Sequence, residues 1–225
     1  MTGVNTGETL LPFYIVCDES GSMGPNGGVD AINQGLPDLH ATIAADPLVS
    51  DKCRIALITF SDTAEELMSL ARATDINAMP GVQAKGITNY GAVFRLLRQV
   101  ISRDIANLKS QGYIVYQPAV FFITDGEPTD TNWEPDYQQL VDKNLNAQYP
   151  HIISFGVAGA DPMVVGKVGT VGAFVQDQHG NPATALKEIL RSLTNSIVAS
   201  SSSSSPQLVV PSAPDGSMAV PLQTM

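Results

Sequence analysis

Cysteine is scarce in this chain of 225 residues: Cys17 and Cys53 are the only two, too few for a disulfide scaffold or a zinc cluster. If their strands run parallel, one thiol sits at a strand end and the other at a strand start, beyond disulfide reach. Basic residues are scarce too. Twelve Lys and Arg face 22 Asp and Glu, a net charge of -10 that disfavours a general nucleic-acid binder and favours cations or partners with basic patches. No apolar run approaches the ~20 residues of a membrane span. Residues 1–8 lack the basic and apolar regions of a secretory signal, so the expected setting is cytoplasmic, with no membrane partner. No internal repeat is visible. His40, His151 and His179 lack metal-ligand spacing and are assigned no role.

What is present suits one domain with a sizeable core: 44% hydrophobic residues against 15% charged. Residues 11–17, 54–60, 118–124 and 151–157 read as buried strands, Phe174-Val175 as a short last one, and residues 64–70 as an edge strand. Helical spacing appears in Val29, Ile32, Leu36, Leu39 and Ile43, with Pro37 expected to kink or break it at roughly 3 kcal/mol. It returns in Val93 to Leu108, in Tyr137 to Leu145 and in Leu186 to Ile197. The alternation predicts an α/β fold: a Rossmann-like, open, mostly parallel sheet with helices on both faces and one antiparallel edge strand. Residues 10–198 form the domain in this reading. Residues 199–225, opening on six serines and rich in proline, read as a flexible tail, with Leu208-Val209-Val210 able to dock or extend a sheet edge.

Two acidic loops leave strand ends. Asp18-Glu19-Ser20-Gly21-Ser22 follows the first strand, and Asp125-Gly126-Glu127-Pro128-Thr129-Asp130 follows the strand ending at Thr124. Right-handed crossovers bring both loops to one sheet edge, where open α/β sheets bind ligands. Asp18 and Asp125 can therefore face one cation. Two carboxylates there repel unless a divalent ion neutralises them, and Ser20 and Ser22 add the oxygen donors that magnesium prefers. Glu19, Glu127 and Asp130 read as solvated loop carboxylates. Asn89 and Tyr90 are candidates for lining a ligand surface, with core packing the alternative for Tyr90, and Trp133 reads as packing.

Asp18-x-Ser20-x-Ser22, Thr88 within Gly86-Ile87-Thr88-Asn89-Tyr90-Gly91, and Asp125 in Thr124-Asp125-Gly126 together resemble the metal-ion-dependent adhesion site (MIDAS) of von Willebrand factor A domains. The resemblance implies that Ser20, Ser22 and Thr88 bind Mg2+, with Mn2+ or Ca2+ as alternatives. Asp18 and Asp125 would bond directly or through water, and one position would remain for an acidic residue of a protein partner. Asp46-Pro47, Ile58-Thr59-Phe60-Ser61 and residues 125–130 followed by Trp133 are similar to the TerY-like tellurium-resistance group. That likeness implies a stress-response setting with kinase- or phosphatase-like partners. Tyr90 stands where the family often has an aliphatic residue, and the Ser/Pro tail replaces the cysteine-rich extension of some TerY-like chains.

Enzyme signatures fail in turn. Gly-x-Ser-x-Gly is absent around Ser20, no Gly-x-Gly-x-x-Gly follows the first strand, and Gly166-Lys167 lacks P-loop spacing. The expectation is a non-enzymatic, metal-dependent interaction adaptor. The alternatives are a magnesium-dependent phosphohydrolase using the same ion and an ion-binding subunit of an ATPase-driven chelatase.

Overall fold

β1 (Thr9–Asp18) is the middle of the sheet, and from Leu10 to Asp18 every residue is buried. Its side chains alternate between two cores, as the two-residue strand period requires. Phe13, Ile15 and Cys17 join one apolar cluster, while Tyr14 and Val16 join the other. The computed structural model describes residues 7–177, 180–202 and 207–223. After β1 come α1 (Gly28–Ala45), α2 (Pro47–Lys52), β2 (Cys53–Phe60), β3 (Ala64–Ala71) and α3 (Tyr90–Ser110). The chain continues through β4 (Ile114–Val115), β5 (Ala119–Thr124), α4 (Glu134–Val141), β6 (His151–Gly156), α5 (Pro162–Val168), β7 (Gly172–Gln176), α6 (Pro182–Ser202) and β8 (Ser217–Ala219).

The strand order is β3-β2-β1-β5-β6-β7-β8, with β4 paired to the start of β1. β2, β1, β5, β6 and β7 run parallel, and β3 is the expected antiparallel edge. The apolar faces of α1 and α6 cover one side of the sheet; those of α3 and α4 cover the other. This is the α/β architecture the alternation predicts. The order reverses between β1 and β5, so the loops after Asp18 and Thr124 leave side by side. Leu11 pairs with Cys53 and Cys17 with Thr59, so the two thiols lie at opposite ends of their strands. Both cysteines are free and buried. Among the described residues no helix is long and apolar enough to cross a membrane.

The local details differ from the sequence reading in several places; α4, for one, ends at Val141, short of the exposed Leu145. α1 runs unbroken through Pro37, which lies on its exposed face, where water can satisfy the carbonyl deprived of a partner. Asp46 then ends α1 and caps α2, its Oδ1 accepting from the backbone N–H groups of Leu48 (3.0 Å) and Val49 (3.3 Å). α5 was not anticipated, because its seven residues include Gly166 and few periodic apolar positions.

A further difference concerns the chain after residue 198. α6 continues to Ser202, so the serine run starts inside a helix; Ser203, Ser204 and Ser205 lie outside the described residues, as does His179. Ser196 Oγ donates to the carbonyl of Val209, whose N–H donates to Ser200 Oγ at 2.9 Å. Serine hydroxyls one helical turn apart thus satisfy both main-chain groups of Val209. Leu208 packs on the α1/α6 core, as the docking alternative anticipated, while Ser217–Ala219, not 208–210, extends the sheet as antiparallel β8.

Candidate metal centre

Asp18, the last residue of β1, is fully buried and hydrogen-bonded at both oxygens. Oδ1 accepts from the Ser20 N–H at 2.8 Å, and Oδ2 accepts from Thr124 Oγ at 2.7 Å. The first bond turns the loop immediately after the strand, which brings Ser20 and Ser22 back over the sheet edge. Their hydroxyls lie 3.1 Å apart. Ser22 donates to Asp125 Oδ1 at 2.9 Å, and Ser20 reaches the same oxygen at 3.5 Å. Asp125 Oδ2 is taken by Asn26 Nδ2 at 2.8 Å, and Asn26 Oδ1 accepts from the Gly28 N–H that opens α1. Thr88 is buried beside this group: a Cβ on Gly126 would lie 3.7 Å from its hydroxyl oxygen. All five residues expected from the sequence therefore converge, with Ser22 on the exposed side and Asp18 on the buried side.

Backbone bonds between the loops fix this arrangement. Glu19 N–H donates to Phe60 C=O (2.9 Å), Lys85 N–H to Glu19 C=O (2.7 Å) and Gly21 N–H to Gly86 C=O (3.1 Å). The Thr88 carbonyl accepts from both the N–H and the hydroxyl of Thr129, each at 2.8 Å, tying the second loop to the third. Gly86 has φ +68, and a Cβ there would meet the Asp62 carboxylate at 2.5 Å, so glycine is required on two grounds.

The neighbouring residues sort differently from the sequence reading. Glu19 is buried rather than solvated, and Lys85 Nζ stands 3.1 Å from its Oε1. Asp130 caps α3 by accepting from the N–H groups of Tyr90 (2.9 Å) and Gly91 (2.8 Å). Glu127 is exposed, as expected. Tyr90 belongs to the core: its ring packs edge-on against Phe60, Phe94, Phe122 and Trp133. Its phenol donates towards Thr124 Oγ and the Gly126 carbonyl, both at 3.2 Å. Trp133 is core packing, and Asn89 caps α3 through Ala92 N–H.

Burial dominates the electrostatics. It pushes the Asp18 carboxyl up to about 6, from an ordinary 3.8, against the pull of hydrogen bonds from Ser20 and Thr124. Asp125 is raised by the same cause, opposed by Ser22 and Asn26. Among the described residues no Lys or Arg lies within ion-pair distance of either carboxylate. Nor do they form a cluster of three or more His, Cys, Asp or Glu suited to a metal. The donor set is instead two carboxylates and three hydroxyls, all hard oxygens, carrying two negative charges. That chemistry fits one hard divalent cation.

The sequence profile of the von Willebrand factor type A domain matches residues 13–199. The chain belongs to this family. Members are typically non-enzymatic, and many carry a MIDAS and mediate protein interactions. Among solved structures, proximal thread matrix protein 1 from the mussel byssus is similar at 15% identity and TM-score 0.59, over 85% of this chain and 48% of that one. A second structure of that protein, described as having a zinc-occupied MIDAS motif, gives 15%, 0.58, 86% and 49%. A von Willebrand factor type A protein from Catenulispora acidiphila gives 14%, 0.59, 84% and 43%. At these identities the likeness shows the fold, and the chain spans about half the length of these relatives. Among curated proteins no sequence matches at a significant level.

Three participants escaped the sequence reading. Thr124 carried a signal, a hydroxyl ending an apolar strand one residue before an aspartate. Asn26 was hidden in Gly24-Pro25-Asn26-Gly27, a composition that marks a turn whatever its side chain does. Lys85 lies in a polar connection, and only the fold pairs it with Glu19.

Proposed function

We propose that Asp18, Ser20, Ser22, Thr88 and Asp125 hold a divalent cation, Mg2+ in the first instance, and that the exposed Ser22 side of the site captures an acidic residue of a protein partner. The chain is then a non-enzymatic adaptor of the von Willebrand factor type A family. One observation carries this reading: two buried carboxylates stand at a strand-order reversal with the Ser20 and Ser22 hydroxyls on one of them and Thr88 beside, and among the described residues no basic side chain lies within ion-pair distance of either. When bound, the cation supplies positive charge for which a partner carboxylate competes with water, a charge-assisted contact that a neutral side chain cannot match.

The protein's own groups prepare the site. Thr124 and the Ser20 N–H hold both oxygens of Asp18, so that carboxylate is oriented beforehand. Asn26 occupies Asp125 Oδ2 and leaves Oδ1 towards the serines. The cross-loop bonds keep Thr88 in place.

On the sequence resemblance alone, we assign the adaptor to a cytoplasmic response to tellurite or related chemical stress, with a kinase- or phosphatase-like partner. Titration calorimetry with MgCl2, MnCl2 and CaCl2 tests the site: wild type should bind one ion, and Thr88→Ala and Asp125→Ala should lose at least ten-fold in affinity. No heat and no thermal shift from any of the three ions would end the proposal. Capture of partners with and without chelator tests the adaptor role.

A further inference from the structure

Among the described residues, the three loops that carry the cation-site residues expose one large apolar side chain, that of Ile87, which is 54% exposed and directly precedes Thr88. A single aliphatic residue on a surface ordinarily calls for no explanation. Ile87 differs in that its backbone cannot withdraw it. Its N–H donates to Asp62 Oδ1 at 3.1 Å, and the Gly86 carbonyl before it accepts from the Gly21 N–H at 3.1 Å. On its other side the Thr88 carbonyl is held by Thr129, and the Asn89 N–H donates to the Ser61 carbonyl at 2.9 Å. The bonds that place Thr88 in the site therefore also hold an isoleucine in water next to it.

Little else projects from these loops. Gly21, Ala84 and Gly86 are exposed and Gly24 and Gly126 partly so, and a Cβ on Gly24 would lie 3.1 Å from the Ala84 Cβ. With side chains this small, a partner's main chain can come close to the cation residues. Glu127, two residues after Asp125, is exposed and forms no ion pair among the described residues.

On the basis of the cation-dependent capture described above, we propose that Ile87 sets which acidic residue the site accepts: an Asp or Glu whose sequence neighbour is a large aliphatic residue, the carboxylate going to the cation and the aliphatic side chain to Ile87. The spacing matches, because Cα atoms are about 3.8 Å apart in Ile87-Thr88 and in any acid-aliphatic pair alike. Contact at Ile87 takes apolar surface out of water on both partners and shields the carboxylate beside it from solvent. A β-branched side chain on a fixed backbone also has little freedom to lose on binding. A run of acids is disfavoured, since Glu127 repels a second carboxylate.

Capped glycine hexapeptides with one central pair test this on the full chain in saturating MgCl2, by NMR titration. The pairs are Asp-Leu, Leu-Asp, their serine counterparts Asp-Ser and Ser-Asp, and Asn-Leu. In wild type the better leucine peptide should bind about five-fold more tightly, or better, than its serine counterpart, and chelator or the change to Asn should abolish binding. Ile87→Ser should bring the leucine and serine peptides to within about two-fold of each other, and Ile87→Val should keep the preference. Both variants should bind Mg2+ as wild type does in calorimetry. A leucine preference that is absent from wild type or survives Ile87→Ser, in protein that takes the Asp peptides only with Mg2+, overturns the role of Ile87 and leaves the adaptor reading standing. Weakened Mg2+ binding by Ile87→Ser overturns it too, since Ile87 would then support the site itself. Absence of Mg2+ binding in wild type, or equal binding of the Asp and Asn peptides, overturns the adaptor reading and this proposal with it.

Discussion

Replacing Asp18 by asparagine should stabilise the cation-free protein at neutral pH. The folded chain holds the Asp18 proton with a pKa of about 6, against an ordinary value of 3.8, because burial penalises the charged form more than the hydrogen bonds from Ser20 and Thr124 favour it. A raised folded-state pKa means that stability is complete below the ordinary value and is lost as pH rises through the folded one. At pH 7 the loss is complete, and a shift of about two units corresponds to roughly 3 kcal/mol. Asparagine keeps the shape and removes the charge. Its carbonyl can accept from the Ser20 N–H, its amide can donate to Thr124 Oγ, and the Thr124 hydrogen can turn to the Gly126 carbonyl, 3.3 Å away. In chelator at pH 7 the variant should therefore gain up to about 3 kcal/mol, which for a domain of this size is a rise of about 2–4 °C in Tm per kcal/mol. The gain should shrink towards zero near pH 4. Adding MgCl2 should raise the Tm of wild type and leave the variant unmoved. Urea melts followed by circular dichroism at the two pH values provide the measurement. A variant no more stable than wild type at pH 7, or an offset equal at both pH values, would refute the argument that Asp18 is a strained charge awaiting a cation.

Away from the site, Tyr14→Phe removes the hydroxyl that donates to Asp104 Oδ2 at 3.1 Å inside the α3-side core, at a cost of about 1–3 kcal/mol. Burial raises the Asp104 pKa and this hydrogen bond lowers it, so the deficit should widen as pH rises from 4 to 7 in paired urea melts. Tyr90→Phe frees the Thr124 hydroxyl and the Gly126 carbonyl from their shared partner. It should cost about 1 kcal/mol while leaving the aromatic cluster packed, checked by thermal melts with and without MgCl2. Burial pushes both the Cys17 and Cys53 thiols up to about 12. Neither should react with a thiol reagent at pH 8 in the native protein, and both should react in urea; rapid native labelling would contradict the packing.

The parts legible in the sequence are those where composition and burial coincide. β1, β2 and β5 are buried on both faces, so each appears as an unbroken apolar run, and the oxygen-bearing residues that follow announced the site. Asp18 at the end of β1 and Ser20, Ser22, Thr88 and Asp125 in the loops lie at positions that the topology alone brings together. What stayed hidden depends on partners distant in sequence. Glu19 looks solvated until Lys85 is placed beside it, and Ser200 looks like linker until Val209 returns to it. Ser217-Met218-Ala219 has no strand signature because its pairing with β7 uses main-chain atoms that every sequence shares. Pro37 was expected to kink or break α1, and it does not break it: the burial of Leu36, Leu39 and Ile43 around it outweighs one lost hydrogen bond.

The strict alternation along β1 also sets where this chain can change length. An extra residue between Leu11 and Cys17 would send Phe13, Ile15 and Cys17 to the layer built for Tyr14 and Val16, and the reverse, while breaking the register with β2 and β5 together. The polar connection between β3 and Gly86 keeps no strand register, and between its two buried anchors, Ala73 and Val82, it is free of such a constraint. Insertions and deletions should therefore accumulate there, and the distance from Leu11 to Asp18 should stay at seven residues wherever the acidic loop is retained.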